Sequence, residues 1–358
     1  IYSADLIGAG IGSLSVLGLL NISGPEYAIL TASLLCFIAS FVTDGKNMKW
    51  FVSFLIIVNV LLLIIHPDFI NIKLSPYKNL SLSLKYPGAK HLMTYYNSFS
   101  RIDSLKSPAV RFAPGLSLTY LDPFPEQIGL SVDGSEMNAV TKAEDKNSLR
   151  FLKFLPSALA YEILTSQKNI KGNDNPPSPP FNKGGMGGFG NALIIEPKGG
   201  LQALIAEYYG FKNIHKVESN SLLVKIIKNN FREFSGKIFE NDTWTGFGRS
   251  YLRSLQFTVH SSRFYDIIDL PMTGASVSGA FGISEDYRFT IEAFKDYLNA
   301  LKRDGFISVS LYLIPPPRTE PRILTTIITA LEQTGIKDIS GHIAAIRSWD
   351  SITILAKK

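Results

Sequence analysis

Residues 191–218 read NALIIEPKGGLQALIAEYYGFKNIHKVE, and this stretch decides the fold. Apolar runs bounded by tight turns are typical of strands buried in a parallel sheet. Between two such runs lies a helical segment that Gly210 closes, since glycine readily takes the left-handed conformation that ends helices. The successive strand, loop, helix and strand are Asn191–Ile195, Glu196–Gly200, Leu201–Tyr209 and Ile214–Val217. The stretch therefore predicts a β-α-β unit of a parallel sheet.

Strand and helix patterns continue to alternate to the end of the chain. The further segments are Ser221–Asn230, Phe264–Leu270, Glu285–Lys302, Phe306–Leu313, Pro321–Thr334, Ile339–Arg347 and Ser351–Ala356. Alternation of this kind predicts an α/β fold with a doubly wound sheet over residues 191–358. The last two strands form a hairpin and add an antiparallel strand. This arrangement resembles the S-adenosylmethionine-dependent methyltransferase variant of the fold, which implies a Rossmann-like nucleoside-binding domain.

The loop after the first of these strands has the residues of a nucleoside site. A glycine turn there lets backbone N–H groups approach a ligand at the N-terminus of the following helix. An acid at the end of the next strand can accept hydrogen bonds from ribose hydroxyls. Gly199, Gly200 and Glu218 fit this pattern, with Glu218 eighteen residues after Gly200. The residues leave one alternative open, a plain β-α turn containing Lys198 and followed by a surface glutamate.

The first 66 residues are much more apolar than the rest of the chain. Of the 358 residues 18% are charged, against about a quarter in ordinary domains. The charged residues of this part are Asp5, Glu26, Asp44, Lys46 and Lys49. Three apolar runs, 1–22, Tyr27–Val42 and Trp50–Ile65, approach the length of about 20 residues that spans a bilayer. They predict three transmembrane helices over residues 1–66, the end of a larger, multi-pass membrane domain. Buried helices of a soluble core are the alternative.

The charge pattern bears on orientation and on partners. Lysines that follow the third apolar run favour a cytoplasmic soluble part by the positive-inside rule. The net charge is +6, but no basic stripe with interleaved aromatics occurs, so nucleic-acid binding is not expected. The single cysteine, Cys36, excludes an intrachain disulfide and a cysteine-cluster metal site. The histidines lack metal-ligand spacing, so no metal is predicted.

Residues 67–190 connect these two parts. Residues 67–150 form a β-rich region in which Asp133-Gly134 predicts a hairpin between Gln127–Val132 and Glu136–Thr141. Ala109–Tyr120 is a further strand candidate. Residues 151–171 predict a connecting helix. Residues 172–190, GNDNPPSPPFNKGGMGGFG, are too rich in glycine and proline for regular structure and predict a disordered insertion without function.

Several blocks of the sequence resemble spermidine synthase-like proteins. Those in the α/β part are IIEPKGGLQALIAEYYGFKNIHKVESN, FGRSYLRS, RFYDIIDLP and SEDYRFTIEAFKDYLNALKRDGFISVS. Upstream, YNSFSRID, FAPGLSLTY, LSVDG and FLPSALAY resemble the N-terminal β region of the membrane-fused members, and YSADLIGAGIGSL resembles their last membrane helices. The resemblance covers nearly the whole chain apart from 172–190. It implies a membrane-fused protein connected with polyamine biosynthesis.

The resemblance also implies roles for particular residues. The donor substrate would be S-adenosylmethionine or its decarboxylated form, without a metal. Phe247 stands where the family has an acid that contacts adenine, and it either stacks on a base or packs in the core. The residues that match the family's nucleoside-binding positions are Glu196, Gly199, Gly200, Glu218, Gly248 and Arg249.

The catalytic block departs from the family pattern. In spermidine synthases the fourth strand ends in Asp-x-x-Asp-Pro, whose first aspartate helps to deprotonate the attacking amine and whose second helps to hold the polyamine. Here Asp269, near the end of the predicted strand, is the candidate general base, and no second aspartate follows. The alternative is a strand-end acid that caps the next turn. Glu285 and Tyr287 are candidates for the substrate side.

Two functions therefore remain open. The first is an aminopropyl- or methyltransferase anchored in a membrane, which the Gly199-Gly200 pair and Glu218 favour. The second is a non-catalytic nucleoside-binding or scaffold module, which the missing aspartate favours. The expected partners are the lipid bilayer, a small-molecule amine acceptor and, as a homo-oligomer, a second copy of the chain.

Overall fold

The structure is a computed structural model that describes residues 2–43, 45–145, 147–170, 189–256, 264–273, 286–313 and 315–358. The chain divides into two compact units. The first comprises Ile1–Leu105 with Ser131–Ser135, and the second comprises Lys106–Leu130 with Glu136–Lys358.

The first unit contains two long apolar helices followed by a short helix and two strands. They are α1 (Tyr2–Thr43), α2 (Lys46–Ile65), α3 (Asn79–Leu84), β1 (Lys90–Tyr96) and β2 (Arg101–Lys106). The α1 helix is interrupted at Gly24, whose φ of 85° and ψ of 176° are not helical, and Pro25 follows.

The number of apolar helices differs from the prediction of three. Within the described residues, two helices, Tyr2–Thr43 and Met48–Ile65, are long and apolar enough to cross a membrane. Between the first two apolar runs the helix is broken at Gly24, so these runs form one interrupted helix.

The elements of the remaining chain are strands and helices in regular alternation after the first hairpin. The strands are β3 (Gln127–Val132), β4 (Glu136–Thr141), β5 (Phe189–Ile195), β6 (Phe211–Glu218), β7 (Thr243–Thr245), β8 (Tyr265–Thr273), β9 (Leu301–Tyr312), β10 (Ile343–Arg347) and β11 (Ser351–Lys357). The helices are α4 (Leu159–Ile170), α5 (Leu201–Tyr208), α6 (Ser221–Asn230), α7 (Gly248–Gln256), α8 (Ile291–Ala300) and α9 (Thr319–Gln333).

The predicted turn between β3 and β4 is confirmed. Asp133 and Gly134 have φ angles of 52° and 71°, so both central residues of the turn lie in the left-handed region. A two-residue hairpin turn of this primed type matches the twist of the flanking strands. The bounds of both strands agree with the sequence pattern.

The strand predicted at Ala109–Tyr120 is wrong, because this segment forms turns. Gly115 has a φ of 71°, which an extended strand does not allow. Its backbone N–H donates to Oδ1 of Asp350 at 2.9 Å instead of to a neighbouring strand. The Pro-Gly pair inside the run therefore outweighed its apolar composition.

Two element boundaries also differ from the prediction. The β5 strand begins at Phe189, inside the predicted insertion 172–190, and residues 172–188 of that insertion lie outside the described residues. The helix predicted at Glu285–Lys302 is shorter, because α8 starts after the Thr290 cap, and β9 begins where α8 ends.

The second unit is built on a seven-stranded sheet with the order β10-β11-β9-β8-β5-β6-β7. The β5 strand runs parallel to both β6 and β8, and β11 runs antiparallel to β9 and β10. The prediction of an α/β fold is confirmed, with a mixed sheet whose order is consistent with a methyltransferase-like fold. The chain order reverses beside β5. In open α/β sheets, ligands bind outside the carboxyl ends of the strands at such a point.

The core on one face of this sheet is packed by α7, α8 and α9. The buried side chains of this face include Leu193, Ile195, Ile268, Leu270, Phe294, Tyr297, Ile307, Val309, Ile323 and Ile327. Side chains alternate along a strand, so the residues between them, such as Ile194 and Asp269, point to the opposite face. Asp269, the candidate catalytic acid, therefore faces away from α7, α8 and α9.

Candidate functional site

The loop Glu196–Gly200 turns from the end of β5 into α5 with an unusual backbone. Glu196, Lys198 and Gly200 have φ angles of 62°, 51° and 89°. Residues other than glycine in this left-handed region cost about 1–2 kcal/mol each. Strain of this kind clusters at ligand-binding sites, where the surrounding contacts maintain it. The loop predicted from its glycines is therefore strained at two residues that are not glycine.

Glu218, at the end of β6, holds this loop in place. Its Oε2 accepts the Lys198 backbone N–H at 3.0 Å, and its Oε1 accepts the Asn220 backbone N–H at 3.0 Å. The side chain is 2% exposed. The carboxyl group also has a side-chain hydrogen bond with Glu196. The predicted ribose acid thus lies beside the loop after β5.

Glu196 is a second buried carboxylate at the same edge of the sheet. Its Oε2 accepts the Ser219 hydroxyl at 2.9 Å, and its Oε1 accepts the Tyr287 hydroxyl at 3.1 Å. Burial, together with the neighbouring Glu196 carboxylate, raises the pKa of Glu218 to about 8. Glu218 therefore takes up a proton near neutral pH unless a donor or a cation favours its ionised form.

Lys198 and Arg288 supply the positive charge near these acids. Lys198 pairs through its Nζ with Glu136 of β4, and burial and the Arg288 charge lower its pKa to about 8. Arg288 is buried and pairs with Asp286, whose Oδ1 accepts from Arg288 Nε at 2.9 Å. Both cations thus have carboxylate partners within the protein.

The three glycines predicted to bind the cofactor are required for different structural reasons. A Cβ on Gly199 would lie 2.0 Å from the carbonyl oxygen of Ala139 in β4, so this glycine is required by contact with protein backbone. A Cβ on Gly248 would lie 2.7 Å from the side chain of Ile195. Gly200 is left-handed at the start of α5. Gly199 is therefore required by its contact with β4, and its approach to a ligand stays a prediction.

The block around Arg249 contributes an aromatic side chain to the site. Arg249 Nε donates to Oδ2 of Asp296 on α8 at 2.9 Å, so its guanidinium is already paired. Phe247 is 55% exposed and contacts the Tyr287 ring edge to face, with centroids 5.2 Å apart. An exposed ring beside Tyr287, which contacts Glu196, is placed to stack on a planar ligand.

Asp269 lies inside β8, not near its end, because the strand continues to Thr273. It is fully buried, and its Oδ2 accepts the Tyr161 hydroxyl at 2.8 Å. Burial raises its pKa to about 7, although the Tyr161 hydrogen bond acts in the opposite direction. The register of the sheet places Asp269 beside Ile194, two residues before Glu196, and its role as general base stays a prediction.

Of the two substrate-side candidates, the structure brings Tyr287 to the site, while Glu285 lies outside the described residues. The sequence pattern did not single out Ser219, although its position directly after Glu218 was a usable signal. It also missed Tyr161, whose pairing with Asp269 joins residues far apart in sequence and has no local signature.

The site suits a ligand that carries hydroxyl groups and a planar ring. Its two buried carboxylates are hydrogen-bond acceptors, and the exposed Phe247 offers a stacking face. Among the described residues, no group of three histidine, cysteine, aspartate or glutamate side chains is placed to hold a metal ion.

Together these features define an α/β protein with a mixed seven-stranded sheet and a candidate ligand site at its switch point. No family model and no curated protein matches the chain. Among solved structures, it is similar to a spermidine synthase from Thermotoga maritima, at 13% identity over 75% of this chain and 72% of that chain, with a TM-score of 0.42. A probable spermidine synthase from Corynebacterium glutamicum gives 11% identity over 76% and 80%, with a TM-score of 0.43. Human methyltransferase-like protein 13 in complex with SAH gives 13% over 57% and 80%, with a TM-score of 0.37.

Replacement of Gly199 by alanine should destabilise the fold. The new Cβ would meet the Ala139 carbonyl at 2.0 Å, and overpacking of this kind costs about 1–3 kcal/mol. We expect a lower midpoint of thermal unfolding for the full chain in detergent. Gly341→Ala is the control, because nothing lies within 4 Å of its Cβ position. Equal midpoints for the two variants would show that β4 does not pack against the loop.

Asp269→Asn should make stability less dependent on pH. Burial raises the pKa of Asp269 from 3.8 to about 7, so the protonated folded form loses stability as pH rises between these values. The loss approaches about 1.4 kcal/mol per pH unit for one proton. Unfolding midpoints from pH 4 to 8 should fall less steeply in Asp269→Asn than in the exposed control Asp242→Asn. Parallel curves for both variants would contradict the burial of Asp269.

Proposed function

We propose that the second unit binds a nucleoside derived from S-adenosylmethionine at the carboxyl edge of its sheet. One observation carries this proposal. Two buried carboxylates, Glu196 and Glu218, follow neighbouring parallel strands at the point where the strand order reverses. This is where ligands bind in open α/β sheets.

The ribose would lie against Glu218. Its hydroxyls would donate to the Glu218 carboxylate and replace the side-chain hydrogen bond with Glu196. The backbone N–H groups of Lys198 and Asn220 already orient this carboxylate. The base would stack on Phe247, whose ring is the exposed aromatic beside Tyr287. Because Glu218 is 2% exposed, neighbouring side chains, among them Tyr287 on Glu196, have to shift when ribose enters.

The reaction that fits such a donor is aminopropyl or methyl transfer to an amine. The amine nitrogen attacks a carbon bound to the positively charged sulfur, the carbon–sulfur bond breaks, and a neutral thioether leaves. The protein's task is to hold the two reactants in line and to accept the proton released by the amine. Asp269 remains the candidate acceptor of that proton, and S-adenosylmethionine or its decarboxylated form is the donor.

A second function is favoured by the surroundings of Asp269. Its carboxyl is fully buried and bonded to Tyr161, so it reaches an amine only after local rearrangement. A protein that binds the nucleoside without turnover, as a sensor or scaffold, needs Glu218 and Phe247 but no general base. Both candidate functions involve the same ligand, but only the first transfers a group from it.

We further propose that α1 and α2 anchor the chain in a lipid bilayer, with the α/β domain in the cytoplasm. Both helices are long enough and apolar enough to cross a membrane. The lysines that follow α2 favour the cytoplasmic side, because positively charged residues near membrane helices are retained there.

Glu218→Gln should weaken nucleoside binding about ten- to a hundredfold. A hydrogen bond to a charged acceptor contributes about 1.5–3 kcal/mol, and each 1.4 kcal/mol is a factor of ten in affinity. Calorimetry of the full chain in detergent with methylthioadenosine, S-adenosylmethionine and its decarboxylated form measures the change. Glu332→Gln, at an exposed position near the end of α9, is the matched control and should bind normally.

A ligand without ribose hydroxyls makes this test specific. If Glu218 contacts the hydroxyls, Glu218→Gln should cost little affinity for the dideoxy form of methylthioadenosine. An equal loss of affinity for both ligands would indicate a structural effect of the substitution. Absence of binding to all three nucleosides at millimolar concentration would refute the proposed function.

Turnover separates the two candidate functions. Purified chain that binds a donor should transfer its methyl or aminopropyl group to a diamine if it is an enzyme, and Asp269→Asn should lower the rate at least tenfold with binding unchanged. The product is measured by mass spectrometry. Binding without product, under conditions where an active spermidine synthase is saturated, would support the non-catalytic module.

A further inference from the structure

The break in α1 is covered by the polar part of the first unit. The buried residues of this helix are Gly24, Glu26 and Ala28. A Cβ on Gly24 would lie 3.1 Å from the ring of Tyr96 at the end of β1. Glu26 is 8% exposed, and its Oε1 accepts the Ile72 backbone N–H at 3.0 Å. The break is thus docked on residues that follow α2, outside both apolar helices.

A break at this position has consequences for a helix in lipid. Gly24 is not helical, and Pro25 has no N–H, so the regular hydrogen bonds of the helix are interrupted here. Lipid cannot replace those hydrogen bonds, and irregular backbone at membrane depth is found only where protein or water covers it. Here the covering groups are Tyr96 and the backbone of Ile72.

The part of α1 after the break pairs with α2 along its length. The Tyr27 and His66 rings stack with centroids 4.5 Å apart, which places the end of α2 level with the break. Further along, Asn59 Nδ2 donates to Ser33 Oγ at 2.6 Å. The two helices therefore run antiparallel as a hairpin.

The dimensions of this hairpin match a bilayer. The α2 helix has 20 residues, or about 30 Å at 1.5 Å per residue, and the hydrocarbon core is about 30 Å thick. At the closed end Lys49 lies over the Phe41 ring and Trp50 is 74% exposed. Lysine and tryptophan are the side chains that anchor helices at the interface.

We propose that residues 25–65 form a two-helix hairpin across the bilayer and that Gly24–Glu26 lies at its surface, on the same side as the β1–β2 hairpin. Gly45, between the two helices, lies at the other surface of the bilayer. The occupant of the exposed apolar faces is lipid, and Glu26 is a surface anchor of the hairpin. This inference rests on the proposed membrane anchoring and adds the level and the side at which α1 is interrupted.

Cysteine labelling of the full chain in sealed vesicles tests the proposal. Cys36→Ser removes the single native cysteine, and cysteines are then placed one at a time at exposed positions: Ile22, Gly45, Ile57 and Phe99. A membrane-impermeant maleimide is added before and after permeabilisation. We expect cysteines at 22 and 99 to react from one face and the cysteine at 45 to react at least tenfold faster from the other. The cysteine at 57, in the middle of α2, should react from neither face.

Two results would overturn the proposal in different ways. If the cysteine at 22 is protected from both faces while those at 45 and 99 react from opposite faces, the anchoring stands and the break lies within the hydrocarbon. If all four cysteines react without permeabilisation and alkaline carbonate releases the chain, the anchoring itself fails. Neither result affects the proposed nucleoside site, which is tested by calorimetry.

Discussion

The hydrogen bonds of the Glu218 carboxylate fix the edge of the sheet on which the proposed site depends. One oxygen accepts a backbone N–H from the loop after β5, at Lys198, and the other accepts one from the loop after β6, at Asn220. The Glu218 carboxylate therefore links the two loops, as does the hydrogen bond from the Ser219 hydroxyl to Glu196. It also maintains the left-handed backbone of Lys198, since a strained conformation persists only where surrounding contacts require it.

The same arrangement accounts for the raised pKa of Glu218. Glu196 and Glu218 are both buried, and burial together with the Glu196 charge raises the pKa of Glu218 to about 8. Lys198 and Arg288 do not neutralise the pair fully, because each has its own carboxylate partner. A ligand with two hydroxyl donors would favour the ionised form of Glu218. The buried carboxyl of Asp269 accepts its hydrogen bond from Tyr161.

Local patterns predicted the fold well, and long-range contacts limited the prediction of the site. The β5–α5–β6 unit and the Asp133–Gly134 turn follow from apolar runs and glycine positions, which act over a few residues. The prediction that Asp269 lies near the end of its strand was wrong. Periodicity does not show that β8 continues past an internal proline. Gly199 contacts β4 and Arg249 pairs with α8, and both elements are distant in sequence. The local motif, which predicted ligand contacts for these two residues, could not show these packing contacts.

Proton release on binding of methylthioadenosine tests the central claim most directly. Calorimetry at pH 7 in two buffers with different ionisation enthalpies gives the number of protons exchanged. Ribose hydroxyls that donate to Glu218 lower its pKa from about 8, so binding should release up to about one proton per nucleoside. Glu218→Gln should abolish this release. Binding without proton release, or the same release in Glu218→Gln, would contradict the account.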